Sequence, residues 1–372
     1  MTTFKDLGVH GNYIKALKEL QIKIPTEIQE KTIPVLLKTK TDYIGLAQTG
    51  TGKTAAYGLP VLNSIDTNSA VVQALILSPT RELVQQIKKQ LFKFTKFNEE
   101  KIFVEAVYGG EKIEKQMQRL QRPTHIIVAT PGRLIDLIEK GNVNLRSIKT
   151  VVLDEADEML SMGFKKELDA ILNYTSGSRN TWLFSATMPE EILRIISKYM
   201  EPSAVKVSVN KESLVNANIS HQYLITSIKE KTTVVSQLLD KFNEGRGIIF
   251  CRTKLGVQKL VKELKEEGFS VDALEGDMQQ RDRDKVMRMF KKGTLQYLIS
   301  TDVSARGIDV TNLAFVMHHQ LPENLEYYTH RSGRTARAGK TGISLALILP
   351  SELQRIHEIQ KALGIKFEEQ ML

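Results

Sequence analysis

Residues 47–54, with the sequence AQTGTGKT, form a glycine-rich stretch whose residue types bind phosphate. Gly50 and Gly52 let the backbone curl so that its N–H groups face phosphate oxygens. Lys53 supplies a positive charge for the β- and γ-phosphates of a nucleotide, and the Thr54 hydroxyl is a ligand for Mg²⁺. The stretch follows an apolar run and precedes a helical pattern, which favours a phosphate loop over a chance lysine in a glycine-rich loop. The remaining positions of this predicted phosphate loop are Ala47, Gln48, Thr49 and Thr51.

An acidic cluster with Asp154, Glu155 and Asp157 follows a short apolar run about one hundred residues further along the chain. Asp154 can hold Mg²⁺, while Glu155 can orient or deprotonate a water molecule that attacks phosphorus. A divalent cation relieves the repulsion between such closely spaced carboxylates. The alternative is a solvated acidic turn that caps a helix. The phosphate loop upstream favours the catalytic interpretation.

The elements that must position these residues alternate along the chain. Short, continuously apolar runs are separated by longer stretches with helical periodicity, a pattern typical of parallel sheets with helices on both faces. We therefore expect an α/β fold. Strands are predicted at 73–77, 102–107, 125–128, 150–153 and 181–184, and then at 221–226, 247–251, 270–274, 297–300, 314–318 and 344–349. Helices are predicted at 81–97, 111–120, 132–140, 165–172 and 190–200.

The alternation breaks in a polar segment near residues 207–218. A chain of 372 residues suits two domains. We predict an N-terminal domain at 1–208, a linker at 209–218 and a C-terminal domain at 219–372.

Composition restricts the class of protein. Hydrophobic residues make up 41% and charged residues 26% of the chain, which is ordinary for a globular protein. The formal net charge of +9 suits an anionic partner, although a well-solvated enzyme with surplus lysines has the same charge. The single cysteine, Cys251, excludes an intrachain disulfide and fits a reducing compartment. The sequence shows neither a signal peptide nor a membrane-spanning run, so we expect a cytoplasmic protein.

The sequence Asp-Glu-Ala-Asp at 154–157 resembles the signature of the DEAD-box RNA helicases. Further segments between about Phe4 and about Gly339 resemble other motifs of that family, in the same order and spacing. The resemblance implies two tandem RecA-like domains, with ATP and Mg²⁺ as cofactors and RNA as partner. It implies that Gln29 reads adenine, because an amide offers the donor and the acceptor that match N6 and N7. It also assigns Asp309 to the ribose. Phe4 lies where the family stacks an aromatic ring on the base, although core packing explains this residue as well.

Further motifs resemble the RNA-binding segments of the family. Each joins a strand end to a helix start, where backbone N–H groups and an arginine meet a phosphodiester without reading the base. The resemblance therefore implies sequence-independent binding of single-stranded RNA or short duplexes. By position, the RNA-binding residues are Pro79, Thr80, Arg81, Gly110, Thr130, Pro131, Gly132 and Arg133 in the first domain and Arg252, Thr253, Gly276, Asp277, Gln280, Arg283, Thr301 and Arg306 in the second.

Ser185 and Thr187 resemble the motif that couples ATP hydrolysis to unwinding in this family. The resemblance implies that their hydroxyls contact the acidic cluster, including Asp157. The alternative is a strand end followed by the N-cap of the next helix, and the two interpretations are compatible.

Four basic residues lie within residues 330–337. The segment resembles the final motif of the family, which implies that Arg334 and Arg337 stabilise charge on the γ-phosphate in the transition state. By the same resemblance His330 lies near the acids of the first domain and Arg331 is structural. A plain polyanion-binding patch is the alternative, but the fixed spacing and the intervening glycine favour the arginine-finger interpretation.

Lys53 and the acids lie in one predicted domain and the arginines in the other. We therefore expect hydrolysis to require closure of the two domains, with RNA bound across the closed face. The favoured function is an ATP-dependent RNA helicase that unwinds short duplexes locally. The alternatives are an ATP-latched RNA clamp and a DNA-translocating motor, since the choice of RNA depends on contacts with the 2′-hydroxyl. A nucleotide kinase is disfavoured. We expect a monomer with ribonucleoprotein partners and no membrane association.

Overall fold

The computed structural model describes residues 2–48, 50–175, 177–209, 218–243, 245–305, 313–336 and 341–371. The chain divides into two compact units, Met1–Asn210 and Lys211–Leu372. Only the two end residues of the predicted linker, 209 and 218, are among the described residues. Four residues with a predicted function lie outside the described residues: Thr49, Arg306, Asp309 and Arg337.

The described residues of the first unit form one parallel sheet of seven strands. These strands are β1 (Tyr43–Leu46), β2 (Ala74–Leu77), β3 (Val104–Val107), β4 (Ile126–Ala129), β5 (Thr150–Asp154), β6 (Asn180–Ser185) and β7 (Val205–Ser208). Their order across the sheet is β3-β4-β2-β5-β6-β1-β7. The central strands are buried almost throughout, because helices cover both faces of the sheet.

Nine helices accompany this sheet within the described residues. They are α1 (Gly11–Glu19), α2 (Glu27–Lys38), α3 (Lys53–Asn63), α4 (Arg81–Phe94), α5 (Ile113–Leu120), α6 (Pro131–Glu139), α7 (Ala156–Ser161), α8 (Lys165–Tyr174) and α9 (Glu190–Tyr199). One apolar cluster lies on each face of the sheet, so that alternate residues of a strand such as β2 enter different clusters. Predicted helix 81–97 ends early, and its last three residues form a 3₁₀ turn, Thr95–Phe97.

The second unit repeats the architecture. Its described strands are β8 (Ile219–Ile225), β9 (Gly247–Phe250), β10 (Val271–Leu274), β11 (Tyr297–Ser300), β12 (Phe315–His318), β13 (Gly342–Ile348) and β14 (Phe367–Glu369). Its described helices are α10 (Lys231–Lys241), α11 (Lys254–Glu266), α12 (Gln280–Lys292), α13 (Asp302–Ala305), α14 (Leu325–Ser332) and α15 (Leu353–Leu363). All pairings in this sheet are parallel, in the order β10-β11-β9-β12-β13-β8-β14.

Both sheets therefore follow one winding scheme, in which the strands of a unit lie in the order third, fourth, second, fifth, sixth, first, seventh. The predicted α/β class with two parallel sheets is confirmed, and the predicted strands are found with ends shifted by at most two residues. The edge strands β7 and β14 were not predicted. Among the described residues, no helix has the length and apolar character needed to cross a membrane.

Candidate nucleotide and nucleic-acid site

The predicted phosphate loop connects β1 to α3. Gly50 and Gly52 adopt φ angles of +84° and +92°, in the left-handed region that favours glycine. Gly52 is also the N-cap of α3, so the loop delivers the unbonded N–H groups of the first helical turn to one place. Lys53 is buried, and its Nζ donates to the carbonyl oxygen of Ala47 over 2.8 Å. The loop thus combines backbone donors with a positive charge.

Gln29 connects the predicted adenine-reading motif to this loop. Its Nε2 donates to the carbonyl oxygen of Gly52 over 3.0 Å, and its Oε1 accepts from the backbone N–H of Thr26 over 3.0 Å. The Thr26 hydroxyl donates to the carbonyl oxygen of Thr51 over 2.7 Å. A carboxamide has a second N–H and a second lone pair, with which Gln29 can meet a base. Phe4 is 3% exposed and packs in the core, and its stacking on a base remains a prediction.

The predicted catalytic acids lie where β5 ends and α7 begins. Asp154 is buried at the end of β5, and Glu155 follows it with φ +52°, a left-handed conformation that is strained for a residue with a side chain. Burial raises the pKa of Asp154, while the charge of Lys53 and a hydrogen bond from Tyr57 act in the opposite direction. A nearby cation therefore favours the ionised form of the Asp154 carboxyl.

Three buried polar atoms at this end of the sheet have no hydrogen-bond partner within the described part of the chain. They are Oγ of Ser78, Oδ1 of Asp154 and Oγ of Ser185. These residues end or directly follow β2, β5 and β6, which are neighbours in the sheet. Ligands of parallel α/β sheets bind at this carboxyl edge, and Mg²⁺ prefers carboxylate, hydroxyl and water oxygens. The donor set next to the phosphate loop fits a nucleotide-bound Mg²⁺.

Asp157 joins the acidic cluster to the end of β6. Its Oδ2 accepts hydrogen bonds from the backbone N–H of Ala186, from the backbone N–H of Thr187 and from the Thr187 hydroxyl, over 3.2, 2.9 and 2.9 Å. The predicted contact between the coupling motif and the acids is therefore present for Thr187. The Ser185 hydroxyl makes no such contact among the described residues.

The predicted RNA-binding residues of the first unit lie at the carboxyl ends of three neighbouring strands, β3, β4 and β2. Thr80 is the N-cap of α4, with its hydroxyl accepting from the Leu83 N–H, and Pro131 opens α6. Gly110 follows β3 with φ +85°. The structure brings together at this edge Pro79, Thr80, Arg81, Gly110, Thr130, Pro131, Gly132 and Arg133.

A supporting contact that the sequence did not reveal holds two of these segments together. Nη1 of Arg133 donates to the carbonyl oxygen of Glu111 over 2.9 Å. The Glu111 carboxylate is bound by both terminal nitrogens of Arg119, over 2.9 and 2.7 Å. These hydrogen bonds from Arg119 hold the pKa of Glu111 below its usual value. Glu111 therefore fixes the segment after Gly110 relative to Arg133.

The predicted RNA-binding residues of the second unit also lie at neighbouring strand ends, those of β10, β11 and β9. Asp277 pairs with Lys254, and Thr253 is the N-cap of α11. Arg283 is buried, and its Nη2 donates to the carbonyl oxygen of Ser304 over 2.6 Å. Arg283 thus holds the backbone of α13 through this hydrogen bond. The residues placed at this edge are Arg252, Thr253, Gly276, Asp277, Gln280, Arg283 and Thr301.

The segment that carries the predicted arginine fingers is anchored by a buried arginine. Arg331 is 2% exposed, and its Nε and Nη2 bind the two carboxylate oxygens of Asp302 over 2.5 and 2.7 Å. Its guanidinium also lies 5.1 Å from the centre of the Phe250 ring. His330 precedes this anchor in α14, and Arg334 follows the end of the helix in a buried turn. The geometry of Arg331 is that of a structural residue.

Tyr57 contacts the acidic cluster through Asp154, and the sequence did not reveal this contact. Its hydroxyl donates to Oδ2 of Asp154 over 2.9 Å. Burial and the charge of Asp154 raise the pKa of Tyr57 far above its usual range. A hydroxyl three residues after Thr54 on an otherwise apolar helix was the available signal, since residues three apart share a helix face.

Comparisons with known proteins agree with this geometry. Residues 26–195 match the DEAD/DEAH box helicase family, and residues 230–339 match the helicase conserved C-terminal domain. The chain is 43% identical over 369 residues to the DEAD-box ATP-dependent RNA helicase CshA of Geobacillus kaustophilus, covering 99% of this chain and 78% of the relative. It is 41% identical over 364 residues to the ATP-dependent RNA helicase CshA of Limosilactobacillus reuteri, covering 98% of this chain and 72% of the relative.

Solved structures that are similar over the whole chain include two with bound RNA. S. cerevisiae Dbp5 bound to RNA and ADP BeF3 has a TM-score of 0.91 and 30% identity, with 100% of this chain and 96% of Dbp5 covered. Mss116p bound to ssRNA and AMP-PNP has a TM-score of 0.89 and 31% identity, with 100% of this chain and 80% of Mss116p covered. With its phosphate loop, its Asp-Glu-Ala-Asp strand end and these relatives, the chain belongs to the family of DEAD-box ATP-dependent RNA helicases.

Proposed function

We propose that this protein is an RNA-stimulated ATPase that unwinds short RNA duplexes locally. The observation that carries the proposal is the carboxyl edge of the first sheet, where Lys53, Asp154 and the strained Glu155 lie together. Oδ1 of Asp154 has no hydrogen-bond partner in the part of the chain that the structure describes. Such strain is kept at functional sites when the surrounding structure holds it. The names of the relatives support RNA as the polymer.

In the proposed reaction, Gln29 and the phosphate loop bind ATP, with Lys53 at the β- and γ-phosphates. Glu155 orients the attacking water and accepts its proton, a role that needs only hydrogen-bond reach and an ionised carboxylate. Thr54 and Asp154 would hold Mg²⁺, which neutralises phosphate charge when bound. Arg334 and Arg337 supply positive charge to the transferring phosphoryl group.

Because Lys53 and Glu155 belong to the first unit and Arg334 to the second, closure of the two units is the proposed step that completes the site. RNA backbone contacts on both units, among them Arg133 and Arg252, make closure depend on RNA. Phosphate contacts carry no base information, so the proposed binding is independent of sequence. Thr187 and Asp157 couple the acids to the end of β6. We propose a monomer that acts on ribonucleoproteins in the cytoplasm.

Steady-state ATP hydrolysis without polymer, with single-stranded RNA and with single-stranded DNA of the same sequence tests this proposal. We expect strong stimulation by RNA alone. Equal stimulation by DNA would instead favour a DNA-translocating motor, and hydrolysis indifferent to both polymers would contradict RNA-dependent closure. A strand-displacement assay on a short duplex then separates an unwinding enzyme from an ATP-latched clamp, which would bind RNA without displacing a strand.

A further inference from the structure

Tyr57 lies on α3, the helix that follows the phosphate loop, and its hydroxyl reaches the end of β5. Its side chain is fully buried, and its ring centre lies 5.2 Å from that of Phe184 on β6. From this apolar surrounding the hydroxyl reaches the acidic cluster and donates to Oδ2 of Asp154 over 2.9 Å. Thr54 precedes Tyr57 by three positions in α3, so the two side chains share one face of this helix. The Tyr57 hydroxyl therefore lies at the same end of the sheet as the two residues assigned to Mg²⁺.

The two oxygens of Asp154 have different surroundings. Oδ2 accepts the hydrogen bond from Tyr57, whereas Oδ1 is buried and has no partner among the described residues. A carboxylate whose one oxygen is fixed by a buried donor has a defined rotamer and a defined direction for its other oxygen. A phenylalanine would fill the same apolar space, so the hydroxyl adds orientation and not packing.

We propose that Tyr57 is a positioning residue that fixes the Asp154 carboxylate through Oδ2 and thereby presents Oδ1 to the magnesium ion of the bound nucleotide. This inference rests on the proposed ATPase function and deepens it. Groups that hydrogen-bond to a metal ligand in this way change metal affinity by about 10- to 100-fold when they are removed.

The chain offers a matched control for the removal of one buried tyrosine hydroxyl. Tyr43 is also fully buried and packs against the same Phe184 ring, at 5.7 Å between ring centres. Its hydroxyl, however, pairs with the Thr32 hydroxyl over 2.6 Å and not with an acid of the site. Tyr57→Phe and Tyr43→Phe therefore make the same chemical change in one core, and only the first removes a contact with Asp154.

The experiment is equilibrium binding of a fluorescent ADP analogue to the whole chain, titrated with Mg²⁺ and repeated in EDTA. For Tyr57→Phe we expect the Mg²⁺ concentration at half-saturation to rise about tenfold, with binding in EDTA unchanged. For Tyr43→Phe we expect the wild-type Mg²⁺ dependence. An unchanged or lower Mg²⁺ requirement in Tyr57→Phe would overturn the proposal. So would an equal rise in Tyr43→Phe, because it would show a loss of core packing.

A double-mutant cycle with Asp154→Asn tests whether Tyr57 acts through Asp154. We expect Tyr57→Phe to have no further effect on Mg²⁺ dependence in the Asp154→Asn background. If Tyr57→Phe still raises the Mg²⁺ concentration at half-saturation about tenfold in that background, Tyr57 does not act through Asp154. That result would refute the positioning role. The proposed function is tested by a different measurement, because it fails if RNA does not stimulate ATP hydrolysis by the wild-type chain. The Mg²⁺ titration requires only that the chain binds nucleotide.

Discussion

Thr187 donates both its backbone N–H and its hydroxyl to Oδ2 of Asp157, each over 2.9 Å. The Ala186 N–H donates to the same oxygen over 3.2 Å, so one buried carboxylate holds the backbone that leaves β6. Hydrogen bonds to a charged group are stronger than neutral ones, and the two N–H groups depend on this acceptor. These three hydrogen bonds therefore join the end of β6 to the start of α7.

The first prediction concerns this connection. Thr187→Val removes only one hydroxyl and should lower the free energy of unfolding of the first unit by about 1 kcal/mol. Asp157→Ala leaves three backbone donors without this acceptor, those of Glu158, Ala186 and Thr187, and should cost about 3 kcal/mol or more. Urea unfolding followed by the fluorescence of Trp182 measures both, because this sole tryptophan of the chain lies in β6. Equal losses in the two variants would show that Asp157 does not hold the backbone.

The second prediction compares two glycines of the phosphate loop. Alanine at either position is strained by about 1 kcal/mol, because both φ angles are positive. A β-carbon at position 50 meets no atom of the described residues within 4 Å, whereas one at position 52 would lie 2.4 Å from Nε2 of Gln29. Gly52→Ala should therefore weaken ATP binding by at least about tenfold more than Gly50→Ala, through displacement of Gln29. Dissociation constants for a fluorescent ATP analogue decide this, and similar constants would show that the loop accommodates the methyl group.

The third prediction assigns the proton acceptor. Glu155→Gln keeps the shape of the side chain but cannot accept a proton, so ATP hydrolysis should fall by about 10²- to 10⁴-fold. ATP and RNA should then remain bound together for longer than in the wild-type chain, as measured by RNA release after dilution. The control is Glu158→Gln, which removes one charge from the same cluster and should keep most of the activity. RNA release from Glu155→Gln at the wild-type rate would argue against closure around ATP and RNA.

The fourth prediction concerns acid stability. Burial lowers the pKa of His221 to about 4 from 6.5, and its Nδ1 lies 2.6 Å from the Tyr328 hydroxyl in the second unit. In the unfolded chain, His221 therefore binds a proton below about pH 6.5. In the folded chain, it binds that proton only below about pH 4. Stability contributed by neutral His221 is complete above pH 6.5 and is lost as the pH falls, by about 3 kcal/mol in total.

Hydrogen exchange at pH 7 and pH 5 measures this loss for the second unit separately, since it resolves peptides of β8 and α14. His221→Gln should show a smaller difference between the two pH values, because an amide can accept from Tyr328 and does not titrate. Burial also lowers the pKa of His318, in the same unit. If the stability of His221→Gln depends on pH as in the wild-type chain, the loss of stability in acid would be attributed to His318 instead.

Much of this fold was predictable because central strands of a parallel sheet are continuously apolar. The strand β11, Tyr297–Ser300, was predicted at its exact bounds. Strands β7 and β14 were missed for a physical reason. As edge strands they are only partly covered, so that Val205–Ser208 alternates apolar and polar residues and Phe367–Glu369 has one buried residue.

The site was predictable only where chemistry follows local spacing. The phosphate loop is one contiguous segment and the acidic cluster is another. The residue types within each segment therefore indicate its function. The hydrogen bond from Tyr57 to Asp154 joins residues 97 positions apart, and the Gln29–Gly52 contact joins residues 23 positions apart. Such pairs are set by the packing of elements that are remote in sequence. The burial of Arg283 was missed for the same reason.

The common winding of the two sheets gives each strand of one unit a counterpart in the other. In both units the helix after the first strand begins with a lysine, Lys53 in α3 and Lys231 in α10. No glycine precedes Lys231 in its loop, and its Nζ turns inward to the carbonyl oxygens of His319 and Leu347 over 2.7 and 3.0 Å. The second unit thus lacks the glycine loop that precedes Lys53 in the first unit, and Lys231 braces the interior of its own unit. We therefore expect one molecule of ATP to bind to each chain, which equilibrium dialysis with a labelled nucleotide measures.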